Sequence, residues 1–122
     1  MYTMDENCTV YKTMDFISKK WTLLILLELY KGGKTKKRYS EIKDKMKDIT
    51  PKVLSERLKE LEKEGLITRK VDASRFPVKT EYSLTNSGKD FIPIISQMKI
   101  WALKWKPHNK LCESVDCKKC TL

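Results

Sequence analysis

A mainly α-helical α+β domain is the fold class this sequence predicts, on three observations. A Thr50-Pro51 pair opens a leucine-periodic helix, a shorter helix over 40–46 precedes it, and a basic β-hairpin over 66–84 follows it. Helix, turn, helix and hairpin in that order, with no residues to spare between them, form the layout of a winged helix-turn-helix.

The elements follow in chain order. Over residues 8–18, Cys8, Val10, Tyr11, Met14, Phe16 and Ile17 fall on more than one side of a first helix, so one apolar surface is spare. Residues 21–30, from Trp21 to Tyr30, are apolar almost all round and bounded by Lys19-Lys20 and Lys31-Gly32-Gly33. A stretch that short is a buried spine and not a membrane span. The helix over 40–46 has Ser40 at its N-cap and buries Ile42 and Met46, with Ile49 just beyond.

Thr50 offers a capping hydroxyl, and Pro51 occupies the first helical position, where a missing N–H costs nothing. Leu54, Leu58 and Leu61 then line one face, and Gly65 ends the helix where a left-handed residue is wanted. Strands over 66–71 and 80–84 are joined by residues 72–79, too long for a tight turn, and such a loop is a wing. Thr85 caps the last helix, in which Phe91, Ile92, Ile94, Ile95, Met98, Trp101, Ala102 and Trp105 share one broad side, with Pro93 tolerable only near the first turns.

With a three-helix core already complete, that side predicts a partner: the last or first helix of a second subunit. Packing back onto its own domain is the alternative. A two-fold dimer would set two recognition helices roughly 34 Å apart and so call for an inverted-repeat operator. The expected organisation is a winged helix-turn-helix domain over 1–106, including N- and C-terminal dimerisation helices, and a cysteine-rich tail over 107–122.

At 122 residues the chain is long enough for a single core that needs no staples, which leaves its four cysteines for other work. No run of about 18 apolar residues exists, and residues 1–6 lack a basic-then-apolar leader, so a cytoplasmic protein with no membrane partner is expected. The net charge of +10 attracts polyanions. Lys31, Lys34, Lys36, Lys37, Arg38, Lys43, Lys45 and Lys47 lie just ahead of the recognition helix, opposed there only by Glu41 and Asp44, while Arg69, Lys70, Arg75 and Lys79 flank the wing. Double-stranded DNA is the partner this distribution predicts.

Cys8, Lys20-Trp21-Thr22, the Tyr39-Ser40-Glu41-Ile42 block, the run from Ile49 through Thr50-Pro51-Lys52 to Arg69, and Tyr82-Ser83-Leu84-Thr85 together resemble the HxlR family of MarR-like winged-helix transcription regulators. The resemblance spans about residues 8 to 105. It implies a homodimeric, cytoplasmic, prokaryotic-type DNA-binding regulator that dimerises through its first and last helices. It also implies that Cys8, ahead of the first helix, is an oxidant or electrophile sensor. Three features depart from the family pattern: the longer, more basic connection over 31–38, Arg75-Phe76-Pro77 near the wing tip, and the cysteine-rich tail.

Thr50, Lys52, Ser55, Glu56 and Lys59 are the DNA-facing candidates, because they lie off the leucine face and toward the end that meets the major groove in this motif class. Lysine suits guanine or phosphate, serine either, and glutamate a cytosine amino group; alternatively Glu56 pairs with Lys52 or Lys59. Arg57, near the leucine edge, reads as a brace for Glu60 or Glu64. Lys36, Arg38, Arg69 and Lys79 are candidates for the phosphate backbone, and Arg75 for a minor-groove or phosphate contact.

The tail places His108, Cys112, Cys117 and Cys120 close in sequence. Zinc is one reading, with Cys8 or His108 as fourth ligand to Cys112, Cys117 and Cys120; an iron–sulfur cluster is a variant. A reversible disulfide is another, since Lys118 and Lys119 favour thiolates, and idle cysteines are a third. Catalysis has little support. A thiol–disulfide oxidoreductase using Cys117 and Cys120 would lack its usual βαβ setting, and a non-specific nucleic-acid-binding module remains the other alternative. The sequence is thus read as a dimeric DNA-binding regulator, a repressor, modulated through its cysteines by oxidation or metal.

Overall fold

The computed structural model describes residues 7–106 and 113–120. The chain runs α1 (Thr9–Ile17), α2 (Thr22–Tyr30), β1 (Lys37–Arg38), α3 (Tyr39–Lys45), α4 (Pro51–Lys63), β2 (Ile67–Asp72), β3 (Lys79–Leu84) and α5 (Asn86–Trp105), with a 3-10 turn over Cys117–Lys119. The fold is predominantly helical with a small antiparallel sheet whose hairpin forms a wing, as expected.

Local chemistry sets the boundaries. The Thr50 hydroxyl accepts the Val53 amide at 3.2 Å, and Thr85 does the same for Gly88 at 3.1 Å, so both expected caps are in place. Gly65 ends α4 at φ +84°, a conformation that any side chain would strain. α3 begins at Tyr39, so its N-cap is Arg38, two residues before the expected Ser40, and Glu41 reaches back to accept the Arg38 amide at 3.2 Å. An acidic side chain three residues into the helix outweighs the serine hydroxyl there.

The sheet has the order β1-β3-β2, all antiparallel, with Ile67 opposite Leu84 and Asp72 opposite Lys79. The two-residue β1 pairs Lys37 with Tyr82 and Arg38 with Glu81, a third strand too short for periodicity to reveal. Ile25, Leu26 and Leu29 of α2 meet Ile42, Met46, Ile49, the leucine row of α4, and Leu66, Ile67 and Tyr82.

Two expectations about α5 need correction. Its Ile92 and Ile95 are 5% and 6% exposed and belong to that core, so three helices do not complete it. Pro93 lies in the helix interior and not in its first turns. It is solvent-exposed, which lets water take the carbonyl that its missing N–H leaves unpaired. The same helix still shows Ile94, Met98, Trp101 and Trp105 to solvent, with Lys106 and Lys104 ammonium groups over the Trp101 and Trp105 rings. α1 likewise exposes Val10, Tyr11 and Met14.

Candidate nucleic-acid interface

The leucine spacing of α4 decides which side chains remain available outside. Leu54, Leu58 and Leu61 are at most 1% exposed, which turns Lys52, Glu56 and Lys59 outward and leaves Ser55 half-buried between them. Thr50 is exposed, its oxygen engaged as the cap.

Three polar ties hold this helix from behind. The Tyr39 hydroxyl donates to the Pro51 carbonyl at 3.3 Å, joining α3 to the start of α4. Arg57 Nε donates to the Lys20 carbonyl at 3.1 Å, and Lys19 Nζ meets Glu60 Oε2 at 2.5 Å. Arg57 therefore does not brace Glu60 or Glu64; it anchors α4 to the α1–α2 turn. Its guanidinium also approaches Glu56 at 4.0 Å, the contact Glu56 makes in place of the expected Lys52 or Lys59 pairing.

The wing stands clear of the core, because in β2 only Ile67 is buried and Arg69 and Lys70 lie exposed beyond it. Asp72 accepts both the amide (3.1 Å) and the hydroxyl (2.5 Å) of Ser74, which fixes the start of the loop. The Ser74 hydroxyl, and then its amide, hold the Asp72 carboxyl below the usual range. Arg75 is exposed, and Phe76 is 99% exposed. Lys79 is half-buried, 3.6 Å from Glu81.

Of the basic candidates outside α4, the structure gathers Lys36, Arg38 and Lys79 along one open recess of about 680 Å³, with Lys34 and Glu41 on its wall. Arg38, Arg75 and Lys79 line a second, of about 380 Å³, beside Phe76. Lys34 Nζ donates to Glu41 at 2.9 Å, and this bond, followed by that from the Arg38 amide, holds the Glu41 carboxyl below its usual range. Arg69 stands apart, across from Tyr82 on the hairpin.

Lys37 is the misplaced lysine. It was expected among the surface cations, yet it is 9% exposed and points inward, donating to the Glu28 carbonyl and lying 3.7 Å from the Glu28 carboxylate. No periodicity signals such a pair, because Glu28 looks like the lone charged residue of a spine helix.

The cysteines divide. Cys8 is the N-cap residue of α1, half-buried, with a free thiol. Cys117 and Cys120 are also half-buried, on a tail segment laid against the end of α2 and against α5: the Gly32 amide donates to the Lys118 carbonyl at 2.8 Å, and Lys99 Nζ donates to the Val115 carbonyl at 2.7 Å. His108 and Cys112 lie outside the described residues. Among the described residues no group of three His, Cys, Asp or Glu side chains is placed to hold a metal, and no helix is long and apolar enough to cross a membrane.

The family model of the HxlR-like helix-turn-helix proteins matches residues 16–110. Among curated relatives, the uncharacterised HTH-type transcriptional regulator YvaP of Bacillus subtilis (strain 168) is 44% identical over 101 residues, covering 82% of this chain and 90% of its own. A MarR-family transcriptional regulator from Porphyromonas gingivalis W83 superposes with a TM-score of 0.73 at 34% identity, over 86% of this chain and 99% of that one. The redox regulator HypR, in its oxidised form, does so with a TM-score of 0.67 at 36% identity, over 83% and 100% of the two chains.

Proposed function

The chain belongs to the HxlR-like helix-turn-helix family of DNA-binding, non-catalytic transcriptional regulators, and from that premise we propose that it is a cytoplasmic homodimeric repressor that reads an inverted-repeat operator. The observation that carries this reading is the outer face of α4. Lys52, Ser55, Glu56 and Lys59 project from a helix tied down from behind, beside a basic wing. Direct readout needs donors and acceptors on a rigid element, with cations on either side for the phosphates.

Dimerisation is supported by the apolar side chains that α1 and α5 leave exposed. Single surface apolars are ordinary, but tryptophans and a methionine along one helix, opposite its own core face, make a surface that water disfavours. A two-fold pairing there would place both α4 helices on one side of a duplex.

Modulation through cysteines belongs to the same proposal. Cys8 caps a helix that contributes to the dimer face, and the similar protein HypR is described as a redox regulator. Peroxide would take two electrons from a pair of thiols, whose protons leave with the reduced oxygen as a disulfide forms. That bond would change the spacing of the two recognition helices. Cys117 and Cys120 are further thiols for this chemistry, and zinc held by them with Cys112 and His108 is the rival use of the tail.

The experiment is a titration of the full chain into duplex DNA from upstream of its own gene and into scrambled duplex, at fixed salt, first reduced and then after peroxide. Preference for the upstream duplex that falls on oxidation is expected. Equal binding to both duplexes would reduce the protein to a non-specific module, and preference unaltered by peroxide or by replacing all four cysteines with serine would remove the redox part.

A further inference from the structure

Phe76 is the residue of the wing that the folded chain does not use. Its ring is 99% exposed, although burying an aromatic ring is among the larger apolar gains open to a folded chain. It sits in the loop between β2 and β3, at the far end of a hairpin whose base is held in the core by Ile67 and Tyr82. The Asp72–Ser74 hydrogen bonds shape one side of this loop and Pro77 restricts the other, so the ring is carried on a short, stiff finger.

We propose that Phe76 is a wedge that the wing inserts between stacked base pairs of duplex DNA from the minor groove. This rests on the reading of the chain as a duplex-binding protein and adds a contact to it. The flanking charge selects the occupant: Arg75 precedes the ring, and Arg38 and Lys79 line the same recess. Of the carboxylates nearby, Asp72 is engaged by Ser74 and Glu81 by Lys79, which leaves Arg75 and Arg38 as the cations beside the ring. An aromatic ring amid cations fits a partner with flat π-surfaces bordered by phosphates. The minor groove, about 6 Å wide, admits a loop but not a helix, and apolar side chains inserted there unstack a step and kink the duplex.

The test uses the full-length protein and the duplex from upstream of its gene, carrying 2-aminopurine singly at successive positions and a fluorophore pair at its ends. Binding of the wild type should raise 2-aminopurine fluorescence at one step under each wing and shorten the end-to-end distance. Phe76→Ala should abolish both signals and weaken binding about 5- to 100-fold for each wing engaged, the range for losing one aromatic–base stack. Its melting temperature should stay unchanged, since the ring touches nothing in the free protein.

Phe76→Leu, still an apolar wedge, should keep part of the kink. Arg75→Ala should lose affinity with a shallower salt dependence while the fluorescence rise persists. If Phe76→Ala binds, bends and unstacks the duplex as the wild type does, the wedge is refuted while DNA binding stands. If the wild type binds no duplex, the DNA-binding reading falls and the wedge with it.

Discussion

Lys37 illustrates how one residue departs from the charge pattern around it. Between exposed Lys36 and Arg38 it turns inward to Glu28, and each side chain of the pair is 11% exposed. Burial lowers the Lys37 pKa, and the nearby Glu28 carboxylate offsets this only in part. The folded-state value therefore lies below the unfolded one. The group costs stability below its folded pKa, and that cost lapses as pH rises through it toward the ordinary value of 10.5. Lys37→Met should nevertheless destabilise at neutral pH, by about 3 kcal/mol, because it strands the Glu28 carboxylate in a low-dielectric site. Adding Glu28→Gln should recover most of the loss. Urea melts of the wild type, both single variants and the double variant decide it: additive losses would mean that the two side chains do not interact.

At the scale of elements, legibility followed the range of the forces. Both threonine caps, the Pro51 start, the Gly65 stop and the leucine face of α4 are local and could be read from the chain, as could the polar face opposite those leucines. What escaped was long-range: the β1 strand, the tie of Arg57 to Lys20, the Lys37–Glu28 pair, and the two-sidedness of α5. Gly88 escaped for the same reason. A Cβ there would lie 2.1 Å from the Leu66 carbonyl oxygen, so the first turn of α5 sits flush against the start of the hairpin. Alanine is the better helix former by about 0.5–1 kcal/mol, but backbone cannot give way as a side chain tip can. Gly88→Ala should therefore destabilise by about 1–3 kcal/mol, read as a lower urea midpoint at unchanged slope. A neutral result would mean that α5 and the hairpin can slide apart freely. The polar face of α4 leads to a different readout. Lys52→Ala and Lys59→Ala should each flatten the slope of log K against log salt by about 1 per subunit bound, hence about 2 for a two-fold dimer, wherever the lysine meets a phosphate. If the slope is retained and discrimination against scrambled duplex is lost, that lysine is reading a base.

Over the whole molecule, the exposed apolar sides of α1 and α5 lie on different elements from the polar face of α4, and that separation makes the assembly testable. α5 sends Ile92 and Ile95 into the core and shows Met98, Trp101 and Trp105 to solvent, so a substitution on the outer side need not disturb the inner one. Trp101→Glu, at a residue 55% exposed, should leave the helical signal of the subunit close to wild type, with the melting temperature lowered only by the stability that pairing adds. The same carboxylate buried in a subunit interface would carry a desolvation penalty without a partner charge, enough to shift the monomer–dimer equilibrium by orders of magnitude. Sedimentation equilibrium should then find monomer at concentrations where the wild type is dimeric. Operator affinity should fall with it, because one half-site supplies only its own contacts while two linked half-sites raise the effective concentration of the second. Binding to a single half-site should be unaffected, which separates lost pairing from a damaged recognition helix. A Trp101→Glu variant that stays dimeric would move the interface off this face of α5 and leave the exposed tryptophans to another partner.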